Sequence, residues 1–336
     1  MSNSRHYLVP EMTRNIEGNE RNVGFELEFS GLDVNETCRL IAKVFAGTIS
    51  VESEFEARVK TSELGVFTVE LDWQFGKKLA KDYGENFEPK ESQQLQNSFI
   101  QGLTSLAGKI VPVEIVCPPL QLSKLELLDP LIDQLRKAGA RGTGDSPVYA
   151  FGVHVNPEIP DASANSLFRY LQTYCIAQDW LIKIHDIDLT RRLTPYVDLY
   201  PEKYLHTVLN YDDSIDLDTL IGDYLNHNRT RNRALDMLPL FRYLDEKRID
   251  QAVDDKLTNA RPTFHYRLPN CEINKEGWYL NESWNTWCVI EYLAGHETLL
   301  GKYIEAWKKH HADRLFPGKP PWHDDLNQLR KNLESA

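Results

Sequence analysis

The sequence predicts an α+β protein whose sheet is mainly antiparallel. Short segments that alternate apolar and polar residues predict about five strands, and longer amphipathic segments between them predict helices. The predicted strands are apolar on one face and charged on the other. This pattern is typical of antiparallel sheets, since the strands of parallel sheets are usually buried on both faces.

Length and composition indicate one large unit. The chain has 336 residues, of which 41% are hydrophobic, and this is enough to bury a sizeable core. We expect one main domain over residues 21–312, preceded by a polar arm at residues 1–20 and followed by a tail at residues 313–336.

Charge and cysteine usage narrow the class of protein. The net charge of −12 argues against nonspecific binding to nucleic acids. No apolar run is long enough to span a bilayer, and the first 21 residues lack the apolar stretch of a secretion signal. The five cysteines show no zinc-binding spacing, and their odd number is typical of reduced thiols. We therefore expect a cytoplasmic protein without nucleic-acid or membrane partners; its oligomeric state is not indicated.

The segment Asn22–Gly31 predicts an acidic strand. Its alternation places Glu26 and Glu28 on one face, about 7 Å apart along the strand. Two carboxylates in that position repel each other unless a cation lies close by. Oxygen ligands on a rigid strand suit Mg²⁺ or Mn²⁺. The alternative interpretation is an edge strand with a solvated acidic face.

A helix and two further strands follow. Residues 32–45 predict a helix capped by Asp33 or Asn35 and ended by Gly47. Residues 48–60 and 64–75 each predict a strand. In the second of these, Glu70 and Asp72 share a face, which repeats the paired acids of the first strand, although a solvated sheet face would look similar.

Residues 76–109 are polar and predict a surface insertion. After it, Val111–Pro119 predicts a strand in which Glu114 is the one charged residue of an apolar run. A buried carboxylate is costly unless it is paired, so Glu114 requires a cation or a salt bridge to an arginine. The amphipathic segment Leu122–Ala138 then predicts a helix.

The segment Val148–Pro157 predicts the next strand. His154 and Asn156 share a face, and Gly152, two residues earlier, leaves room for a ligand. A single histidine on a strand is more often structural than functional, but the pair at the end of a glycine-containing strand is more specific. Ser163–Ile187 predicts a long core helix.

Arginines cluster in three later segments. Arg191 and Arg192 follow a helix, where they suit a phosphate or carboxylate clamp or simply match the helix C-terminus. Arg231 lies in a locally basic segment, residues 227–237, that suits polyphosphate or bridges nearby acids. The last predicted strand, Arg261–Asn270, places four polar side chains on one face. These are Arg261, Thr263, His265 and Arg267.

A cationic strand beside acidic strands is what a metal–phosphate site requires, because metals then lie on one side and neutralising donors on the other. A Trp-rich helix at residues 281–308 closes the predicted domain.

In this order, the motifs resemble those of the amidoligase family. This family belongs to the carboxylate–amine ligase superfamily with glutamine synthetase and glutamate–cysteine ligase. The resemblance covers residues 22–295 and rests on the segments GFELEFSGL, VELDW, VEIVCPP, FGVHVNP, LTRRLTPY, RTRNRALDMLPLF and RPTFHYRLPN. It implies a curved, mainly antiparallel sheet that forms a half-open funnel backed by helices.

The resemblance also implies a set of site residues. Glu26, Glu28 and Glu114 match the metal-binding carboxylates of such ligases, and His154 and Asn156 match a strand near metal and nucleotide phosphate. Arg267 matches a phosphate-binding arginine. The family's carboxylate two residues before it is His265 here, and a neutral imidazole ligates Mn²⁺ more readily than Mg²⁺.

The implied reaction uses ATP and two or three Mg²⁺ (or Mn²⁺) ions. A substrate carboxylate attacks the γ-phosphate, and an amine then displaces phosphate from the acyl phosphate. Arg267 and Arg191 would offset the repulsion between anions, and Arg231 would contact nucleotide phosphate. Asp72 or Glu70 would orient the incoming amine or accept its proton. The substrates would be small-molecule or peptide carboxylates and amines. The alternatives are a metal-dependent hydrolase and a non-catalytic binding relative.

Overall fold

The protein combines helices with an open antiparallel sheet, so the predicted α+β class is confirmed. The computed structural model describes residues 5–53, 55–72, 111–143, 151–187, 197–253, 258–312 and 320–335. The predicted insertion at residues 76–109 and the predicted arginine pair Arg191 and Arg192 lie outside these residues.

The described residues form one nine-stranded sheet in the order β2-β3-β4-β5-β1-β7-β9-β8, with β6 also paired to β1. Its pairings are antiparallel. The strands are β1 (Asn22–Phe29), β2 (Thr48–Val51), β3 (Glu56–Lys60), β4 (Val66–Leu71), β5 (Val113–Val116), β6 (Leu120–Gln121), β7 (Val153–Pro157), β8 (Leu235–Asp236) and β9 (His265–Tyr266). Because β1 is paired on both sides, the predicted acidic strand lies in the interior of the sheet.

Two of the predicted strands differ from the structure. Residues 48–60, predicted as one strand, form the hairpin β2–β3, in which the backbone N–H groups of Glu52 and Ser53 both donate to Glu56 O. The last predicted strand, residues 261–270, is regular only over His265–Tyr266 and continues as single bridges from Thr263 and Asn270. Its predicted apolar face is nevertheless confirmed, because Phe264, Tyr266 and Leu268 are fully buried.

The helices are α1 (Val34–Phe45), α2 (Asp129–Ala138), α3 (Ala164–Ile184), α4 (Glu202–Val208), α5 (Leu217–His227), α6 (Leu238–Leu244), α7 (Glu246–Ala252), α8 (Asn281–Gly295), α9 (Glu297–Ala312) and α10 (Trp322–Ser335). The side chain of Asp33 caps α1, and Glu36 completes a capping box. Ser163 caps α3.

Two predicted helices are interrupted. Leu122–Leu128 is a 3-10 helix, and the α-helical part begins only at Asp129. Pro130 explains the boundary, because proline suits the first turn of an α-helix but cannot donate within its interior. The predicted helix at residues 281–308 ends at Gly295, and α9 begins after His296, whose backbone leaves the helical region with φ −115° and ψ 77°.

The core lies between the sheet and the helices. The apolar side chains of β1 are almost completely buried, and α8 packs against β7 and α3, while α1 packs against β3, β4 and α2. The charged face of the sheet is the opposite one, because side chains alternate between the two faces of a strand. None of the described helices is both long and apolar enough to cross a membrane.

A buried ion pair joins the sheet to α8. Arg21, just before β1, donates to both carboxylate oxygens of Glu291 at 2.9 and 2.7 Å. Tyr170 and Trp287 also donate to this carboxylate. Arg21 in addition donates to the carbonyl groups of Met12 and Glu158. The network therefore fixes the start of β1 against the helical layer.

Candidate active site

Four glutamates form a row across four neighbouring strands of the charged sheet face. Glu28 on β1 is paired with Glu114 on β5, Glu114 with Glu70 on β4, and Glu70 with Glu56 on β3. Directly opposed side chains of an antiparallel pair lie about 4.5–5.5 Å apart at their Cβ atoms, and like charges in that position repel. The row is therefore suited to cations.

The strand β7 adds polar groups on the other side of β1. Its register pairs His154 with Glu26 and Asn156 with Gly24. His154 Nδ1 lies 2.6 Å from Glu26 Oε2, and His154 Nε2 lies 3.4 Å from Glu28 Oε1. Asn156 Nδ2 donates to Glu26 Oε1 at 3.0 Å. One histidine thus bridges the two carboxylates of β1.

The β9 region completes the site with cationic and imidazole groups. The ring centroids of His265 and His154 lie 5.1 Å apart. Arg261 forms an ion pair with Glu26 at 3.6 Å. Arg267 is buried and donates to the backbone oxygen of Arg231 at 2.6 Å. This contact restricts the orientation of the Arg267 guanidinium.

The Glu26–His154 contact has the electrostatics of an ion pair. Burial raises the pKa of Glu26, but the hydrogen bond from His154 and the charges of His265, His154 and Arg261 outweigh it, so the pKa lies well below its usual value. Burial lowers the pKa of His154, but its hydrogen bonds to Glu26 and Glu28 outweigh this and raise it. Both shifts therefore favour the charged forms of Glu26 and His154.

In the acidic row the carboxyl pKa values are raised, in contrast to the lowered pKa of Glu26. Burial, followed by the charges of Glu26, Asp72, Glu28 and Glu70, raises the pKa of Glu114 well above its usual value. Burial and neighbouring acids, first Glu56 and then Asp72, also raise the pKa of Glu70. Such carboxyl groups gain most from a bound cation, because a cation removes both the desolvation penalty and the repulsion.

The model of one family, described as putative amidoligase enzyme, matches residues 19–289. The chain belongs to this amidoligase family. No curated protein and no solved structure gives a significant match. The matched range contains every described residue of the face assembled above, from Glu26 on β1 to Arg267 after β9.

Most of the site residues predicted from the sequence come together in this amidoligase chain. The cluster consists of Glu26, Glu28, Glu114, His154, Asn156, His265 and Arg267. Asp72 follows β4 and lies close enough to Glu114 and Glu70 to affect their pKa values. The contact between Arg231 and Arg267 uses the backbone oxygen of Arg231. Arg191 lies outside the described residues.

The sequence interpretation missed two contributors. Glu56 extends the acidic row to a fourth strand. The alternation of charged residues with the buried Ala57 and Val59 over residues 56–60 could have indicated a separate strand. Arg261 was placed on the correct face but was not assigned to the site, although it is the cation paired with Glu26. No local pattern reveals that pair, because the two residues are far apart in the sequence.

The residues fit divalent ions. One donor atom from each of Glu26, His154 and His265 lies within 4.8 Å of the others, and the same holds for Glu28, Glu114 and His154. The buried atoms His265 Nδ1 and Asn156 Oδ1 have no partner among the described residues. Burial lowers the pKa of His265 well below its usual value, which keeps a nitrogen lone pair available for an ion.

Proposed function

We propose that this protein is an ATP-dependent ligase that joins a carboxylate to an amine through an acyl phosphate. One observation carries the proposal: the register of β1, β5 and β7 brings Glu26, Glu28 and Glu114 together with His154, in a chain that belongs to the amidoligase family. We further propose that residues 21–312 form the catalytic unit and that its sheet has the funnel form of glutamine synthetase and glutamate–cysteine ligase.

The carboxylates would hold Mg²⁺ or Mn²⁺ on the charged sheet face, with His154 and His265 as further ligands. When bound, such ions polarise the phosphoryl group and reduce the repulsion between two anions. Asn156 supports the arrangement because it donates to Glu26 and fixes one oxygen of that carboxylate. The second N–H of its amide and the side chain of Arg231 are proposed donors to nucleotide phosphate.

In the first step, an oxygen of the substrate carboxylate attacks the γ-phosphorus of ATP. The bond between the γ-phosphorus and the oxygen that bridges it to the β-phosphorus breaks, and ADP leaves. The guanidinium of Arg267 would stabilise the charge that develops on the transferred phosphoryl oxygens. Its contact with Arg231 O restricts its rotation and so prepares it for that role. Arg191 is proposed as a second cation for the same charge.

In the second step, the amine nitrogen attacks the acyl carbon and phosphate leaves, so that an amide forms. The nitrogen loses a proton, and Asp72 is the proposed acceptor because it directly follows β4 and lies close to Glu114 and Glu70 of the acidic row. Glu70, whose pKa is raised by burial and neighbouring acids, is the alternative acceptor. Both positions suit an ammonium group that must be bound before it is deprotonated.

The test is ADP formation by the purified protein with ATP, Mg²⁺ and a panel of amino acids and small peptides offered in pairs. A ligase requires both an acid and an amine. Hydroxylamine in place of the amine should convert the acyl phosphate into a hydroxamate, which can be detected directly. Phosphate release without an acid or amine would instead assign the site to a hydrolase.

A matched pair of variants ties the activity to the site. Glu114→Gln removes one charge from the acidic row and should abolish ADP formation. Glu63→Gln makes the same change at an exposed position in the β3–β4 turn and should leave activity unchanged. Equal activity of the two variants would contradict the proposed role of the sheet face.

A further inference from the structure

The two candidate ion sites on the sheet differ in chemistry. One offers a single carboxylate and two imidazoles, from Glu26, His154 and His265. The other offers two carboxylates and one imidazole, from Glu28, Glu114 and His154. Imidazole nitrogen suits first-row transition ions, whereas Mg²⁺ prefers oxygen ligands. A set of two histidines and one glutamate is also a known arrangement for a catalytic zinc ion.

The short contacts of His154 indicate which of its ring nitrogens faces each of the two sites. Its Nδ1 lies closest to Glu26, at 2.6 Å, and its Nε2 faces Glu28 at 3.4 Å. If Nδ1 served as the ligand at the histidine-rich site, Nε2 would remain in position to donate to Glu28. This is the usual support for a metal-bound histidine, whose second nitrogen donates to a carboxylate.

Two buried atoms beside Glu26 independently indicate a ligand at the histidine-rich site. His265 is 7% exposed and Asn156 is 5% exposed. His265 Nδ1 and Asn156 Oδ1 have no partner among the described residues. A buried polar atom without a partner costs about 1–3 kcal/mol, so such atoms are rare in folded proteins unless a ligand or water satisfies them.

We propose that the Glu26–His154–His265 site binds a divalent first-row transition ion in preference to Mg²⁺. The affinity should increase in the order Mg²⁺, Mn²⁺, Co²⁺, because imidazole nitrogen favours the later first-row ions over Mg²⁺. Mg²⁺ would be confined to the site of Glu28 and Glu114. The role of the two ions in the reaction rests on the proposed ligase function, but their binding does not.

The test measures binding to metal-free protein without nucleotide or substrate. Co²⁺ is the probe, because its visible absorption reports nitrogen coordination, and equilibrium dialysis gives the stoichiometry and the competition by Mg²⁺. We expect one Co²⁺ bound about tenfold or more tightly than Mg²⁺ at this site. His265→Gln should weaken Co²⁺ binding about 10- to 100-fold. His265→Glu should narrow the difference between Co²⁺ and Mg²⁺.

The control is His206→Gln, which removes an exposed histidine on α4 and should leave the Co²⁺ spectrum unchanged. Effective competition by Mg²⁺ in the unaltered protein would overturn the proposal without any variant. An unchanged Co²⁺ affinity in folded His265→Gln, checked by circular dichroism, would also overturn it. Since no ATP is present, these results are independent of whether the protein proves to be a ligase.

Discussion

Glu28 on β1 and Glu114 on β5 face each other directly across an antiparallel pair, and Glu70 on β4 faces Glu114 from the other side. Each opposition of like charges destabilises the folded protein. The opposed carboxylates therefore lower the stability of the metal-free protein and provide a place for cations. Both effects can be measured.

Removal of the central carboxylate should stabilise the metal-free protein. The pKa of Glu114 is raised by burial and by the acids around it, so this group contributes stability that is present at acidic pH and lost as pH rises through the raised pKa. Glu114→Gln should therefore gain about 0.4–2 kcal/mol in unfolding free energy at pH 8, for two like-charge pairs. Urea unfolding in the presence of a chelator measures the gain.

At pH 5 the gain should be smaller, because the carboxyl group of the parent protein is then more fully protonated. Glu63→Gln should change stability little at either pH. A loss of stability in Glu114→Gln at pH 8 would show that the charges in the row do not repel each other as the register requires.

Asn156→Ala should weaken metal binding without abolishing it. The amide of Asn156 donates to Glu26 Oε1, and loss of such supporting hydrogen bonds typically costs 10–100-fold in metal affinity. Isothermal titration with Mn²⁺ measures the change. Asn210→Ala removes an exposed asparagine that donates to His206 O and serves as the control. Equal affinities of the two variants would exclude a supporting role for Asn156.

Arg267→Lys should lower the kcat/KM for ATP by about two orders of magnitude, the usual loss when one oriented donor to a developing charge is removed. Lysine keeps the charge, but it lacks the planar guanidinium that can donate to Arg231 O with one N–H and to the phosphoryl oxygens with others. Arg58→Lys, at an exposed position on β3, is the matched control. The loss should appear in kcat as well as in KM, and an effect on KM alone would restrict Arg267 to binding.

The buried pair Arg21–Glu291 should be far more sensitive than any surface pair. Arg21→Met leaves the Glu291 carboxylate buried, with Tyr170 and Trp287 as its remaining donors among the described residues, and such a change costs about 3–5 kcal/mol. Chemical denaturation measures the loss. Glu305→Gln, which breaks the exposed pair with Lys308, should cost less than about 1 kcal/mol. Similar losses would contradict the described burial.

The sequence predicted which sheet face each acidic residue occupies, but it did not predict which residues lie beside it on that face. Alternation alone placed Glu26, Glu28 and Glu114 on the charged face, because side chains in a strand alternate with period two. It could not predict that β1 lies between β5 and β7, since these pairings join segments distant in the chain. The contact of Arg261 with Glu26 depends on such a pairing and was missed for that reason.

Helix ends show the same limit on a smaller scale. The cap at Asp33 was among the predicted candidates because capping is a local interaction. The 3-10 segment before Pro130 and the break at His296 were not predicted, because amphipathic periodicity continues through both positions. Hydrophobic periodicity identifies which residues face the core but does not distinguish one helix from two that share that face.

The alignment of His154 with Glu26 has a consequence for how this protein can diverge. Adding or deleting one residue early in β7 would turn His154 and Asn156 toward the helices and bring their apolar neighbours to the charged face. Length changes within the strands should therefore inactivate the protein in a single step. Changes of length should instead be tolerated in the segments that connect the strands, where they leave the register intact.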